Sequence, residues 1–332
     1  MSAPLQFSVV VPSRGDGPKL ELLFAALEAQ TLERARFELL LVLDGVDLPA
    51  SLAPRLAALG GRALRLDSRG GPGIARNAGA LETQGPWLAF TEDDCVPRPD
   101  WLVRAAARIT DSTLPAPDVI EGVTEGPAGR PLRHLPEGTL QYLPTNLFVR
   151  RDWFQRVRGY CERFYEPARG VYFREDADFG FSLEAAGAVA VREPAVRVMH
   201  PAEHGQFYDP LRWAARYEMD ALLAARHPER FKARIEVHRV GPWRIRRPIV
   251  RACLLAVVAA VAALIALAAG QPRIGAGFTI VFAMLCGLLW AKWRFAPARL
   301  PLMPLVPFAM CFALLRGLPR AAAWRRERHA AQ

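Results

Sequence analysis

The chain has 332 residues, 52% of them apolar, with 43 Lys and Arg against 33 Asp and Glu, a formal net charge of +10. The charge is uneven: residues 230–332 carry 17 basic and 2 acidic side chains, which leaves residues 1–229 at −5. A nucleic-acid reader needs a basic folded domain, so that class is excluded, and a basic excess bordering apolar segments suits a membrane face with anionic lipids.

Phe7–Pro12 is a short β-branched run closed by the turn Ser13-Arg14-Gly15-Asp16-Gly17. It is too short for a signal peptide. An amphipathic helix follows from Leu20 to about Gln30, then an apolar strand Phe37–Leu43 ending at Asp44-Gly45. A helix over Leu52–Leu59, a strand Arg62–Leu66, a helix from about Gly73 to Glu82 and a strand Trp87–Thr91 continue the alternation. Continuous apolar strands separated by helices imply a parallel sheet covered on both faces. Ligands of such sheets bind beyond the carboxyl ends of the strands, so Ser13, Asp44, Asp67 and Glu92-Asp93-Asp94 should gather along one rim.

Residues 111–143 are rich in Pro and Gly and read as irregular, with one strand at Val119–Val123. Order returns at Thr145–Arg150. A helix is expected over Glu175–Ala186, strands at Val189–Arg192 and Val196–Met199, and a helix from Asp209-Pro210, an N-cap and N1 pair, to about Arg226.

Ile249–Ala269 contains one charge, Arg251, and Ile274–Trp290 none. Both are long enough, or nearly so, to cross a bilayer. Leu300–Leu315 is apolar but holds Pro301, Pro304 and Pro307, which predicts an interfacial or re-entrant segment. The five cysteines form no Cys-x-x-Cys pair, which argues against a zinc site or a disulfide framework and for a reducing compartment. The expected organisation is a catalytic domain over 1–230, a basic linker or interfacial segment over 231–248, a transmembrane hairpin with the Pro-broken segment over 249–316, and a basic tail over 317–332.

Three segments carry chemistry. Glu92-Asp93-Asp94 is either a solvated acidic turn or a cation site. Three carboxylates at a strand end repel one another, and Mg²⁺ or Mn²⁺ takes oxygen ligands while leaving positions for phosphates; the rim position favours the cation. Gly71-Pro72-Gly73-Ile74-Ala75-Arg76-Asn77-Ala78-Gly79 opens a helix, lets backbone approach a ligand and offers Arg76 to a phosphate, although alone it is only a Gly-rich loop with an arginine. Glu175-Asp176-Ala177-Asp178 starts a helix. It is either ordinary charging of a helix N-terminus or the source of a general base for an acceptor hydroxyl.

Taken together these segments resemble the family 2 glycosyltransferases. The resemblance implies the GT-A nucleotide-sugar-binding fold, α/β with a Rossmann-like mixed sheet, here with C-terminal transmembrane helices. Ser8-Val9-Val10-Val11-Pro12-Ser13-Arg14-Gly15 looks like the family's opening strand, which implies Pro12, Ser13 and Arg14 at the donor. Asp44 matches an acidic residue on the nucleotide base. Arg76 and Asn77 match the loop before the metal site. Glu92-Asp93-Asp94 stands in for Asp-x-Asp, with Asp94 as metal ligand and Glu92 and Asp93 in support; Glu92 replaces the usual Asp. Thr145–Arg151 is similar to the segment near the acceptor. Glu175-Asp176 matches the Glu-Asp pair, which implies Asp176 as base, and His200-Pro201 matches a His-Pro whose His approaches the metal or diphosphate. Cys161 replaces a usual Asp and takes no role.

The expected activity is inverting, metal-dependent, hexosyltransferase-type transfer from a nucleotide-sugar to a lipid-linked or glycan acceptor of the cell envelope. The alternatives are a catalytically silent GT-A domain that binds a nucleotide-sugar or partner, and transfer to a polyprenyl phosphate. Basic residues on both outer flanks of the two spans, with only Arg273 between them, predict a multi-pass protein of the cell (inner) membrane with its catalytic domain in the cytoplasm.

Overall fold

A computed structural model of the chain describes residues 4–126, 128–131, 140–201, 205–240 and 243–330. It divides into two compact units, Met1–Gly170 with Glu175–Glu203, and Val171–Arg174 with His204–Gln332.

The first unit is built on β1 (Phe7–Ser13), β2 (Phe37–Leu43), β3 (Arg62–Arg65), β4 (Trp87–Phe90), β5 (Val96–Pro97), β6 (Val119–Glu125), β7 (Leu147–Arg150) and β8 (Ala190–Met199). They form one sheet in the order β3-β2-β1-β4-β7-β6-β8-β5. The first four are parallel, as the alternation of strand and helix requires. β7 is antiparallel to both β4 and β6, and β5 is antiparallel to β8. The sheet is therefore mixed: β7 and the two-residue β5 run against their neighbours, while β8 returns parallel to β6.

Side-chain alternation along each strand feeds two cores. Phe7, Val9 and Val11 join Leu39, Leu41 and Trp101 on one face. Val10, Leu40, Val42, Leu88 and Phe90 join Tyr160 and Phe179 on the other. The covering helices include α1 (Gly17–Glu28), α2 (Ala53–Ala58), α3 (Gly71–Leu81), α4 (Trp101–Thr110), α5 (Arg151–Arg156) and α6 (Glu175–Ala186). α3 lies so close to the sheet that a Cβ on Gly79 would meet Val10 at 2.4 Å.

Some expectations shift. Trp101–Thr110, not singled out in the sequence, is a helix whose Trp101 is wholly buried. The strand expected at Val119–Val123 runs on to Glu125; of the segment read as irregular, residues 127 and 132–139 lie outside the described residues. The two strands expected at Val189–Arg192 and Val196–Met199 are one, β8, with a bulge between Arg192 and Arg197. Pro194 explains the bulge, because it cannot donate to the ladder.

In the second unit the helix expected to end near Arg226 is two, α7 (Asp209–Ala215) and α8 (Asp220–Arg226), joined by a 3₁₀ turn at Arg216–Met219. The turn sends Glu218 inward, 1% exposed, to Arg316 at 4.0 Å and Arg320 at 3.9 Å. The basic linker holds a hairpin of β9 (Val237–Val240) and β10 (Trp243–Arg246). α9 (Pro248–Ala268) and α10 (Pro272–Lys292) occupy the two expected spans. The expected break at Leu300–Leu315 is shorter than its prolines suggested: after a 3₁₀ turn at Pro297–Leu302, one helix, α11 (Val306–Ala330), includes most of the expected tail. Pro307 falls in its first turn, where a missing N–H costs nothing. By length and composition, α9, α10 and residues Val306–Arg328 can each cross a membrane.

Candidate active site

Parallel register brings the carboxyl ends of β1, β2 and β4 to one rim. Pro12 pairs with Val42 and Ser13 with Leu43, so Asp44 follows directly beside Ser13. The Ser13 hydroxyl donates to Asp93 Oδ2 at 2.6 Å, and the Arg14 amide donates to the same oxygen at 3.2 Å. The buried Asp44 carboxylate accepts from the amides of Gly70 at 2.6 Å and Gly71 at 3.1 Å. Asp44 thus fixes the loop that enters α3. Beside this loop, Leu66, Asp67, Arg69, Glu162 and Tyr165 line a cavity of about 610 Å³.

Arg76 and Asn77, on α3, do not stand open to a ligand as the sequence suggested. Arg76 is wholly buried, donates to Glu92 at 2.9 Å and lies 5.3 Å from the centre of the Tyr160 ring. Its charge therefore acts at the rim through Glu92, because burial on α3 removes it from direct contact. Its Nε and Nη1 have no hydrogen-bond partner among the described residues. The Asn77 amide donates to the Tyr160 carbonyl and accepts from the Tyr160 amide, both at 2.8 Å. Asn77 thereby pins Tyr160, whose ring stacks on Phe179 at 4.3 Å.

Asp94 sits among mixed neighbours. Its Oδ2 lies 3.6 Å from Lys19 Nζ and 3.6 Å from His200 Nε2, and Cys95 Sγ is 3.7 Å from its other oxygen. His200 is placed by its amide, which donates to the Glu125 carbonyl at 2.7 Å. Glu125 is itself buried and held by Arg98 at 2.8 Å and Arg197 at 3.0 Å. The His200 Nδ1 stands 2.8 Å from the Pro201 carbonyl. A carbonyl only accepts, so this contact puts a proton on Nδ1, and Nε2 is the ring nitrogen that faces Asp94.

The carboxylates at the rim form a charge cluster. Burial raises Glu92 above the ordinary carboxylate value, with Arg76 opposing and Asp94 adding to the rise. Burial also raises Asp93, against the bonds from Ser13 and Arg14. Burial, with Glu92 and Asp94 nearby, keeps the Cys95 thiol neutral. Single ligand atoms of Glu92, Asp94, Cys95 and His200 all lie within 4.8 Å of one another. Two carboxylates and an imidazole in that compass fit a divalent cation of about 2.0–2.6 Å ligand distance.

Glu175 and Asp176 open α6. Burial, and next the neighbouring Asp176, push Glu175 up to about 8; Arg76 and Glu92 also act on it, so the pair belongs to the same electrostatic cluster. Burial likewise raises the Tyr160 hydroxyl, which has no hydrogen-bond partner among the described residues. From the segment Thr145–Arg151, Asn146 is buried and bonded to Trp101 at 2.9 Å and to the carbonyls of Val123 and Val196 at 3.1 Å. It ties the sheet together. Lys19, Cys95 and Tyr160 are the site residues that sequence reasoning missed; a single lysine on an amphipathic helix and a lone cysteine carry no distinguishing spacing.

Residues 8–158 match the description Glycosyl transferase family 2. This segment belongs to glycosyl transferase family 2. Glycosyltransferase AglE of Haloferax volcanii is 25% identical over 215 residues, covering 59% of this chain and 69% of that protein. The pre-mycofactocin glycosyltransferase of Mycobacterium tuberculosis is 30% identical over 180 residues, covering 48% of this chain and 36% of that protein, so the chain spans about a third of that relative's length. Among solved structures, S. aureus TarS superposes with a TM-score of 0.53 at 17% identity, over 96% of this chain and 55% of its own. Mannosyltransferase PcManGT from Pyrobaculum calidifontis, in complex with GDP-Man and Mn²⁺, does so with 0.53 at 14% identity, over 95% and 88%. The family 2 segment ends before Glu175, Asp176 and His200. The chain has the GT-A fold and carries a family 2 glycosyltransferase segment over residues 8–158.

Proposed function

We propose that the chain is an inverting, divalent-metal-dependent hexosyltransferase that moves a sugar from a nucleotide-diphosphate donor to a membrane-associated acceptor. The observation that carries this reading is the approach of His200 Nε2 to Asp94 Oδ2, 3.6 Å, within the carboxylate cluster at the rim. Asp94, His200 and Glu92 would hold Mg²⁺ or Mn²⁺, with Cys95 beside them. When bound, the ion supplies Lewis-acid neutralisation of the charge left on the departing diphosphate.

The chain's own groups do the rest. Asp44 holds the loop over residues 70–71, beside the cavity that suits the nucleotide base. Ser13 and the Arg14 amide orient Asp93 towards the donor, and Arg76 sets Glu92. The acceptor hydroxyl attacks the anomeric carbon, the bond to the diphosphate oxygen breaks on the opposite face, and Asp176 takes the hydroxyl proton. Burial raises Glu175 to about 8, with the neighbouring Asp176 adding to the rise, so Glu175 keeps its proton at neutral pH beside the proposed base. Nucleotide-sugars bound to TarS and PcManGT support the donor class. The apolar helices α9 and α10 support a membrane-presented acceptor, and the basic flanks support a cytoplasmic catalytic unit in a multi-pass inner-membrane protein. α11 spends Arg316 and Arg320 on the buried Glu218, which favours α11 lying along the membrane face.

A panel of nucleotide-sugars, screened by thermal shift with and without Mn²⁺ and followed by donor hydrolysis, tests the reading. One donor should stabilise the protein only with metal and then be turned over. Binding without any turnover on any acceptor or water would make the domain a silent nucleotide-sugar binder.

A further inference from the structure

The second unit holds a cavity of about 830 Å³ between α8, α9, α11 and the stretch Phe231–Glu236. Its walls follow helical periodicity. On α9 and the residue preceding it, Arg247, Val250, Arg251 and Leu254 share one face; on α11, Leu314, Leu318, Ala321 and Arg325 do. Each helix therefore offers arginine and aliphatic side chains to the same space.

Four arginines line the cavity against two carboxylates. Arg247 pairs with Asp220, which Arg174 also holds at 2.8 Å, and Arg246 pairs with Glu236. Arg251 and Arg325 have no acidic partner among the described residues, and both are exposed. The aliphatic neighbours Leu254 and Leu318 are 46% and 57% exposed. Two guanidinium groups without an acidic partner among the described residues thus border one apolar wall. An anion with an attached hydrocarbon answers both halves of the surface.

We propose that this cavity binds an anionic phospholipid, with Arg251 and Arg325 on the phosphate and an acyl chain along Leu254, Leu314 and Leu318. Guanidinium forks match phosphate oxygens two at a time. A zwitterionic headgroup brings its own cation to the phosphate and leaves the arginines less well matched. The proposal rests on α9 and α10 lying in a bilayer and is independent of the transfer chemistry.

The test uses the full chain reconstituted in bilayers of phosphatidylcholine with and without phosphatidylglycerol, then released for native mass spectrometry. Wild type should retain phosphatidylglycerol in preference. Arg251→Gln with Arg325→Gln should lower that retention roughly ten- to thirty-fold, at about 1 kcal/mol per arginine near a charged surface, while the protein stays in the membrane fraction. Both side chains are exposed and unpaired, so the melting temperature should hold. Arg326→Gln with Arg328→Gln, basic residues of the same helix outside the cavity, should leave retention unchanged. Equal loss in this control pair, or wild-type retention in the cavity pair, overturns the proposal. Displacement of the lipid by excess inorganic phosphate would show a free-phosphate site and overturns it too. Wild-type chain recovered in the aqueous fraction would overturn the membrane reading and this proposal with it, whereas membrane-bound chain without lipid preference overturns this proposal alone.

Discussion

Asp94 Oδ2 faces His200 Nε2 across 3.6 Å, although the two residues lie far apart in the chain. The sheet makes this meeting: β4 delivers Asp94, β8 delivers His200, and the Glu125 carbonyl at the end of β6 holds the His200 amide between them. Asp94→Ala should therefore weaken metal-dependent donor binding and lower turnover by about 10² to 10⁴. His200→Ala should raise the Mn²⁺ concentration needed for half-maximal donor binding. Calorimetric titration of donor at several Mn²⁺ concentrations, with turnover on the same samples, checks both. Near-normal turnover in Asp94→Ala would sink the metal assignment.

Asp176→Asn separates chemistry from binding. A base acts only as the acceptor hydroxyl attacks, so kcat should collapse while the donor Kd stays within about twofold of wild type. Lost donor binding with retained kcat would make Asp176 a donor-site residue. A phosphate acceptor needs no base, and little loss of kcat would point to that acceptor.

Glu175 gives a pH signature. Its ordinary value near 4.5 rises to about 8 in the folded chain, through burial first and Asp176 second. The folded state then keeps a proton that the unfolded chain has lost. The resulting contribution to stability is full below about pH 4.5 and is lost as pH rises through about 8. Glu175→Gln keeps the shape and removes the titration. Its melting temperature should fall less than that of wild type between those two limits. Parallel curves for the two proteins would refute the assignment.

Asn77→Ala tests the clamp on Tyr160. It removes two 2.8 Å hydrogen bonds and strands the Tyr160 backbone groups at a buried position. The expected cost is about 1–3 kcal/mol of stability, read as a lower urea midpoint. An unchanged midpoint would mean that Tyr160 is held by its Phe179 stack alone.

Topology is checked with reporter fusions after Arg230, at Gln271 and after Gln332. With α9 and α10 as a hairpin, the Arg230 and Gln332 fusions should report the cytoplasm and the Gln271 fusion the opposite side. Opposite signals at Arg230 and Gln332 would mean that α11 crosses.

The sequence by itself determined the order of β1 to β4 and their helices, because continuous apolar runs and turn residues are local signals. It also determined that Ser13, Asp44 and Glu92-Asp93-Asp94 share a rim, since strands joined by crossover helices run parallel and end together. The two apolar spans were legible for the same reason. Only the tertiary structure decided what each polar group touches. Periodicity cannot tell that Arg76 turns inward to Glu92, that Asn77 spends its amide on Tyr160, or that Lys19 and Cys95 stand beside Asp94. Nor does composition reveal that Arg251 and Arg325 are left unpaired while Arg246 and Arg247 find carboxylates. Those outcomes depend on contacts between residues far apart in the chain, and the free energy that selects them, burial against hydrogen bonding and charge, exists only once the elements have packed.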